Sequence, residues 1–484
     1  MSRPVLSVVG IRPGQVPEAV RARAVRVGLA VSMTLVSLEA GRFVAGGSVR
    51  NLSLILGLVV AGALAQLEPR GVLAVTLALT PLPLYVHGLH VSLLVPLVAG
   101  VWLSVLARST ATANVVHSLA LRGYGLPLLA VAATSLIALW RGSSDRTGAD
   151  LGALGRLAVG MALFAACLFV IRSSRELRLA LVALGASAGI VLALTALQLA
   201  APSLHIPGLL STDAGTVQQN LYGIASNLRV TGPLGDYELL AEFFALAGSM
   251  GAYLGLRSSG RARLAWLSLV PASLAGIAAT STRSGLVVLV VGCALSVFGR
   301  RAAGRRLQLI PLAACIWLLG LPLLHALQAR AGTGFLFNRS IALPTGSGLS
   351  GFLDRGHVWP FFLDRLPHGV DLLFGRSLAF DYGTYGTYPH SLPLTLVFTV
   401  GIAGAVAFYW LLVTVFWRCV QGLRSRAPYA GLGALLVFLF VVDQVKIEYL
   451  RVFNYQWFVW GLLGVCAATA RIGESDGRGA EVTG

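Results

Sequence analysis

LAWLSLVPASLAGIAATSTRSGLVVLVVGCALSVF, residues 264–298, decides the fold class. Two apolar runs, 264–278 and 286–298, flank the short polar stretch TSTRSG (280–285). A guanidinium at mid-bilayer costs roughly 2.5–3.5 kcal/mol on insertion scales, and more by simulation. Arg283 therefore either surfaces at a membrane face or meets an anionic partner that offsets the cost.

The same alternation runs along the whole chain. Its 484 residues are 56% hydrophobic and 12% charged, with a mean hydropathy of +0.79. A soluble domain carries about 25% charged residues. The composition specifies an all-α, polytopic integral membrane protein. Runs long enough to cross a bilayer fall near 25–41, 52–67, 71–86, 89–107, 123–140, 154–171, 177–200, 237–256, 264–279, 285–299, 307–327, 392–417, 429–445 and 456–470. Some are short, and 71–86 with 89–107 also reads as one re-entrant pair, so the expectation is 12–14 spans.

The formal charge is +18, and Lys446 is the sole lysine. The arginines lie singly or in threes between apolar runs, which fits topology signals and anionic head groups rather than a nucleic-acid groove. A GC-rich genome is a plainer source of the same bias. RSSRELR (172–178), RSSGRAR (257–263), RRAAGRR (300–306) and RCVQGLRSR (418–426) carry 3, 3, 4 and 3 arginines. These loops are expected to be cytoplasmic. Residues 1–24 then form a cytoplasmic N-terminal tail without a cleavable signal, 25–200 the N-terminal spans, 201–470 the core, and 471–484 a cytoplasmic C-terminal tail. The loop 201–236, the TSTRSG turn and the long loop 328–391 fall together on the extracytoplasmic side. Cys167, Cys293, Cys315, Cys419 and Cys466 lie in or beside apolar runs without metal-ligand spacing, and read as small hydrophobes.

Three constellations carry candidate chemistry. In SNLRVTGPLGDYELLAEFF (226–244), Arg229 precedes a Gly-Pro turn and Asp236 stands where a helix N-cap belongs. Asp236 reads equally as a plain cap. Glu238 and Glu242 share one helix face, and a carboxylate inside an apolar helix calls for a partner, with a loop arginine the expected one. In TSTRSG, hydroxyls and helix-start amides beside Arg283 make an oxyanion cradle, although a snorkelling arginine explains the residue too. In LSGFLDRGHVWPFFLDRLPHGVDLLFGRSLAFDYGTYGTYPHSLPL (349–394), Arg355, His357 and Trp359 cluster, Arg376 follows a Gly turn, and His390 directly precedes the next span. A histidine there is either structural or a base. Tyr382, Tyr385 and Tyr388 suit sugar stacking or an interfacial aromatic belt. No DxD pair, HExxH or P-loop occurs, so anion handling is expected to rest on arginine rather than a divalent metal.

RVTGPLGDYELLAEFFAL (229–246), TSTRSGLVVLVVG (280–292) and LLFGRSLAFDYG…YPHSLPLTLVFTVGIAGAV (372–406) together resemble the motifs of the O-antigen ligase and O-antigen polymerase superfamily of bacterial membrane glycosyltransferases. The resemblance covers about 200–406, and Ser391 stands where the family often has Asn after the His. It implies a multi-helix C-type fold in the bacterial inner membrane. The implied reaction is extracytoplasmic, metal-independent, cofactor-free transfer of a glycan from a polyprenyl diphosphate carrier to an acceptor hydroxyl on a glycan or lipid.

Arginine forks suit a diphosphate leaving group, which makes Arg229, Arg283, Arg355 and Arg376 the diphosphate-binding candidates. His390 fits a general base by intrinsic pKa, with Glu242, Glu238 and then His357 as alternatives. Trp359 and the three tyrosines are candidate sugar contacts. A flippase or transporter for carrier-linked glycans, or a non-catalytic envelope-assembly protein, are the other classes; the lack of an internal repeat and the gathering of charge on one face argue against transport.

Overall fold

The computed structural model describes residues 59–84, 92–108, 123–201, 206, 230–280, 282–297, 358–425 and 427–481. Among these there is no β-strand, and the chain is a bundle of apolar helices. In chain order they are α1 (Pro69–Leu79), α2 (Leu94–Arg108), α3 (Gly125–Trp140), α4 (Thr147–Val170), α5 (Ser174–Ala200), α6 (Tyr237–Arg257), α7 (Gly260–Thr280) and α8 (Arg283–Val297). After the undescribed stretch come the short α9 (Val358–Leu363), α10 (Val370–Phe374) and α11 (Tyr382–Tyr385), then α12 (Leu392–Arg424), α13 (Ala430–Asp443) and α14 (Phe453–Glu481). Five helical segments are long and apolar enough to cross a membrane: Ser144–Val170, Ser174–Ala200, Tyr237–Arg257, Gly260–Thr280 and Leu392–Arg424.

The expected spans from 71–86 to 285–299 and from 392–417 to 456–470 each meet a helix, with ends that differ by up to eleven residues. The spans at 25–41 and 307–327 and the first residues of 52–67, up to 58, lie outside the described residues. The largest shift is at the end of α14, which runs on to Glu481, and the start of α4 comes seven residues earlier than expected. The first turns of α4 carry Thr147, Asp150 and Arg156, polar enough to hide the helix start from a hydropathy reading, yet Asp150 is fully buried.

Short connections fold successive helices back on one another, so one end of the bundle gathers the starts of α4, α6, α8, α12 and α14 with the ends of α3, α5, α7 and α13. Cross-links tie this end together. Leu392 N donates to the Gln444 and Ile447 carbonyls (2.9 and 3.1 Å), Val230 N to the Ala279 carbonyl (3.3 Å) and Asn454 Nδ2 to the Pro81 carbonyl (2.5 Å). The opposite end carries Arg172, Arg175, Arg178, Arg257, Arg261, Arg263 and Arg424.

Helices α6 and α14 form the centre. Every residue of α6's apolar window is buried, and α14 is buried from Asn454 to Ala470. Small residues let α7 lie close on α6: a β-carbon added at Gly251 would sit 2.6 Å from the Trp266 carbonyl oxygen. The outer helices expose Leu126 and Leu129 on α3, Leu264 on α7, and Val406 and Val413 on α12. In water such faces would be an aggregation hazard, whereas lipid accepts them.

Helix α12 is broken once, at Gly401 (φ 73°, ψ −179°). Against the break sits Gly375 (φ +65°), which ends α10. A β-carbon on Gly375 would collide with the Thr399 carbonyl, and one on Gly401 would lie 2.5 Å from Gly375 N. The interrupted ladder is partly re-satisfied by Ser377 N, which donates to the Thr399 carbonyl at 3.4 Å.

Candidate functional site

The charges buried at the gathered end centre on Arg451. This residue ends a 3₁₀ turn (Tyr449–Arg451) between α13 and α14. Its Nη2 lies 3.1 Å from Asp236 Oδ2 and from Glu238 Oε2, and its Nε 3.1 Å from Glu448 Oε1. Burial pulls the guanidinium's pKa down, but the carboxylates of Asp236, Glu448 and Glu238 outweigh it and hold the pKa above the ordinary arginine value. Asp236 caps α6, accepting from Glu238 N (2.9 Å) and Leu239 N (3.0 Å). It is thus both the cap read from sequence and a partner of Arg451.

His390 joins the cluster from the other side. Its Nδ1 lies 3.5 Å from Glu238 Oε2, and its backbone holds a left-handed conformation (φ 49°). That region is sparse for residues other than glycine. The bonds of Leu392 N to the α13–α14 connection fix the chain immediately after it, so the unusual conformation is held by its surroundings. Glu448 is fully buried, and neither carboxylate oxygen accepts a hydrogen bond among the described residues. Burial drives its pKa up to about 7 against the opposing pull of Arg451 and His390, with Glu238 and Asp236 adding to the rise. A carboxyl titrating near neutrality in a cleft is a mark of functional sites.

Deeper along α6, Glu242 is fully buried. Sequence reasoning gave it an arginine, but the structure supplies neutral donors: Gln444 Nε2 reaches both oxygens (3.1 and 2.9 Å) and Tyr455 OH one (3.0 Å). One cation at the helix start suffices for Asp236, Glu238 and Glu448, and Glu242 lies a turn below its reach. Asp443 pairs with Lys446 (3.2 Å).

Beside the cluster is a cavity of about 210 Å³. Tyr388, Glu448, Arg451, Gln456 and Arg156 of α4 form its polar lining, and apolar residues such as Leu396, Val400, Phe408 and Trp460 form the rest of the wall.

A second set of charges fastens the 358–391 segment to α3 and α4. Asp150 Oδ1 accepts from Ser377 Oγ (2.8 Å), Leu378 N (2.8 Å) and Ala379 N (3.0 Å). Arg141 pairs with Asp371 (2.5 Å) and Arg146 with Asp381 (3.1 Å). The Thr384 hydroxyl, ahead of Arg146, holds Asp381 below the usual carboxylate range. Arg376 belongs to this set, 3.7 Å from Asp371, with a side chain 71% exposed.

The candidate aromatics pack mainly with one another. Tyr385 meets Phe362, Phe380 and Phe398, and Tyr382 stacks on Tyr388 at 4.9 Å. Tyr388 also touches the charges, lying under Arg451 (5.6 Å), and burial raises its phenol pKa. Trp359 Nε1 is buried without a hydrogen-bond partner among the described residues.

The structure thus unites Glu238 and His390, with Glu242 below them and Tyr388 beside them. Arg229, Arg355 and His357 lie outside the described residues. Arg283 opens α8, but its side chain is outside the described atoms. Its neighbour Thr282 donates through Oγ1 to the Tyr237 carbonyl (3.4 Å), so that start adjoins the start of α6. Sequence reading missed Arg451, Glu448, Gln444 and the Asp150 clamp. The signal for the first three was DQVKIEYLR (443–451), a dense polar run in a chain only 12% charged.

Among the described residues no three of His, Cys, Asp and Glu converge as metal ligands; the cation amid these carboxylates is Arg451. The cysteines Cys167, Cys419 and Cys466 are buried and unpaired, and Cys315 lies outside the described residues. Compared with known proteins, the chain matches no family model and no curated protein.

Proposed function

We propose that the chain is a membrane glycosyltransferase of the O-antigen polymerase or ligase kind. In this reading it spans the bacterial inner membrane 12–14 times with the clustered end outside, and acts with neither metal nor cofactor. It transfers a glycan from polyprenyl diphosphate to an acceptor hydroxyl. The observation that carries the reading is the meeting, at one end of the bundle, of His390, Glu238 and Arg451 with the start of α8 that bears Arg283. The bond from Val230 N to the end of α7 brings the residue after Arg229 to the same end.

In the proposed step the acceptor oxygen bonds to the anomeric carbon and the carbon–oxygen bond to the diphosphate breaks. The diphosphate departs with the bonding pair, inverting the centre. The acceptor's proton passes to His390 Nε2, while Glu238 beside Nδ1 orients the ring and stabilises the imidazolium. Arg229 and Arg283, with Arg355 from the long loop, are assigned to the leaving diphosphate. Arg451 is committed to three carboxylates and serves as their counter-ion.

Purified protein given a carrier-linked glycan and followed by chain length tests this. His390→Ala lowers transfer ~10²–10⁴-fold, and Arg283→Ala lowers it as well. Full activity of both variants at matched protein level removes the assignment. The break in α12 favours the transport reading, since discontinuous helices are common in transporters. Carrier flipping by the protein in vesicles, unaffected by His390→Ala, would favour that reading.

A further inference from the structure

We propose that the cavity beside Arg451 binds an uncharged, hydroxyl-bearing ring, and that this ring is the sugar of the acceptor rather than the donor's diphosphate. The binding claim stands on the cavity itself; only its assignment to the acceptor rests on the transfer reaction above.

Glu448 gives the first reason. It is completely buried, lines the cavity, and neither oxygen accepts a hydrogen bond among the described residues. Oε1 keeps only its ion pair with Arg451 Nε (3.1 Å) and Oε2 has neither ion pair nor hydrogen bond among the described residues; a buried carboxylate oxygen left so is rare and costly, so a ligand that brings a hydroxyl donor completes the site.

The second reason is charge. An anion in the cavity would meet Glu448 in the lining, and Arg451 is already 3.1 Å from Glu448, Asp236 and Glu238. A cation would face the guanidiniums of Arg451 and Arg156, both in the lining. A neutral hydroxyl group meets both demands, donating to the carboxylate and accepting from a guanidinium.

Size and wall give the third. About 210 Å³ is far more than the ~10–15 Å³ one water needs. It is less than the ~300–1,000 Å³ of a drug-sized pocket, so a single ring fits where a whole glycan does not. Leu396, Val400, Phe408 and Trp460 make the rest of the lining apolar, which suits the C–H side of a sugar.

The test uses the full chain in nanodiscs and a photoreactive, diazirine-bearing hexyl β-D-glucoside, with labelled peptides mapped by mass spectrometry. Saturable labelling is expected in peptides covering 131–135, 153–157, 395–408 or 449–460. Unlabelled hexyl glucoside should compete it away, and hexyl phosphate and hexylamine should not. Glu448→Ala should weaken labelling by about tenfold or more, the loss of a hydrogen bond to a charged acceptor. Thr134→Leu fills the cavity from α3 and should abolish labelling. Among the described residues its hydroxyl bonds only to the Ala130 and Val131 carbonyls of its own helix, so folding survives.

Labelling that does not saturate, that falls elsewhere, or that hexyl phosphate competes equally well overturns the proposal. A preparation that binds the glucoside but transfers no glycan keeps the ring site and overturns its assignment to the acceptor along with the transfer reading.

Discussion

Arg451 shows how a single side chain sets the electrostatics of the site. Its partners Asp236, Glu238 and Glu448 are largely or wholly buried, so removing the cation leaves three carboxylates facing one another. Arg451→Ala should destabilise the protein by on the order of 3–5 kcal/mol, read as a drop in thermal midpoint in detergent. Arg451→Lys should recover part of that loss, because an ammonium lacks the fork that serves several oxygens at once. An Ala variant that melts with the wild type would deny the residue this role. Glu448 leaves a pH signature of determinable sign. Its folded-state pKa of about 7 lies above the ordinary 4.5, so between those values the folded chain holds a proton that the unfolded chain has released. Its contribution to stability is therefore complete below pH 4.5, declines as pH rises to about 7, and is flat beyond. The difference in thermal midpoint between wild type and Glu448→Gln should follow that slope, and a constant difference would contradict it. The Asp236 cap was legible in sequence because capping depends on neighbours two and three residues away. Arg451 was not, because its three carboxylates come partly from a helix start more than two hundred positions earlier, and nothing in DQVKIEYLR names them.

At the scale of elements, the segment before α12 behaves as part of the bundle rather than as a free loop. Asp150 takes three hydrogen bonds from Ser377, Leu378 and Ala379, and α10 is keyed into the break at Gly401. Amide hydrogens of Leu378 and Ala379 should exchange slowly in the native protein. Asp150→Ala should release them at a cost of ~1–3 kcal/mol, seen as faster exchange across 376–382; rapid exchange in the wild type would refute the clamp. Gly375→Ala meets backbone rather than a yielding side chain and also strains a positive φ. It should lower stability by more than the ~1–3 kcal/mol of ordinary overpacking. Apolar periodicity revealed the helices because each buries or exposes its own residues. The break in α12 stayed hidden inside LTLVFTVGIAGAV, where glycine is common in any membrane helix. What marks Gly401 is its partner Gly375, and that pairing exists only in three dimensions.

Across the whole molecule, charge and helix direction make a joint statement about orientation. The arginine-rich end, where α5 and α7 begin and α6 and α14 finish, should face the cytoplasm. A fluorescent protein fused after Glu481 should then mature, whereas alkaline phosphatase fused there should stay inactive; the reverse result would turn the bundle over and move the proposed site inside. The all-helical, membrane-spanning class was open to a reader of the sequence, since it follows from local composition. Which helices stand in the middle was not, since α6 and the exposed α7 have similar hydropathy, 1.5 and 1.4. The encasement of α6 carries a further consequence. A helix surrounded on all sides by its own chain shares no border with the bilayer, so under the proposed function a lipid-linked donor would have to raise its head over the rim to reach Glu238 while its hydrocarbon stayed in the leaflet. The far end of that hydrocarbon would then go uninspected, and if the proposed transfer holds, carriers with shortened tails should serve as donors about as well as full-length ones.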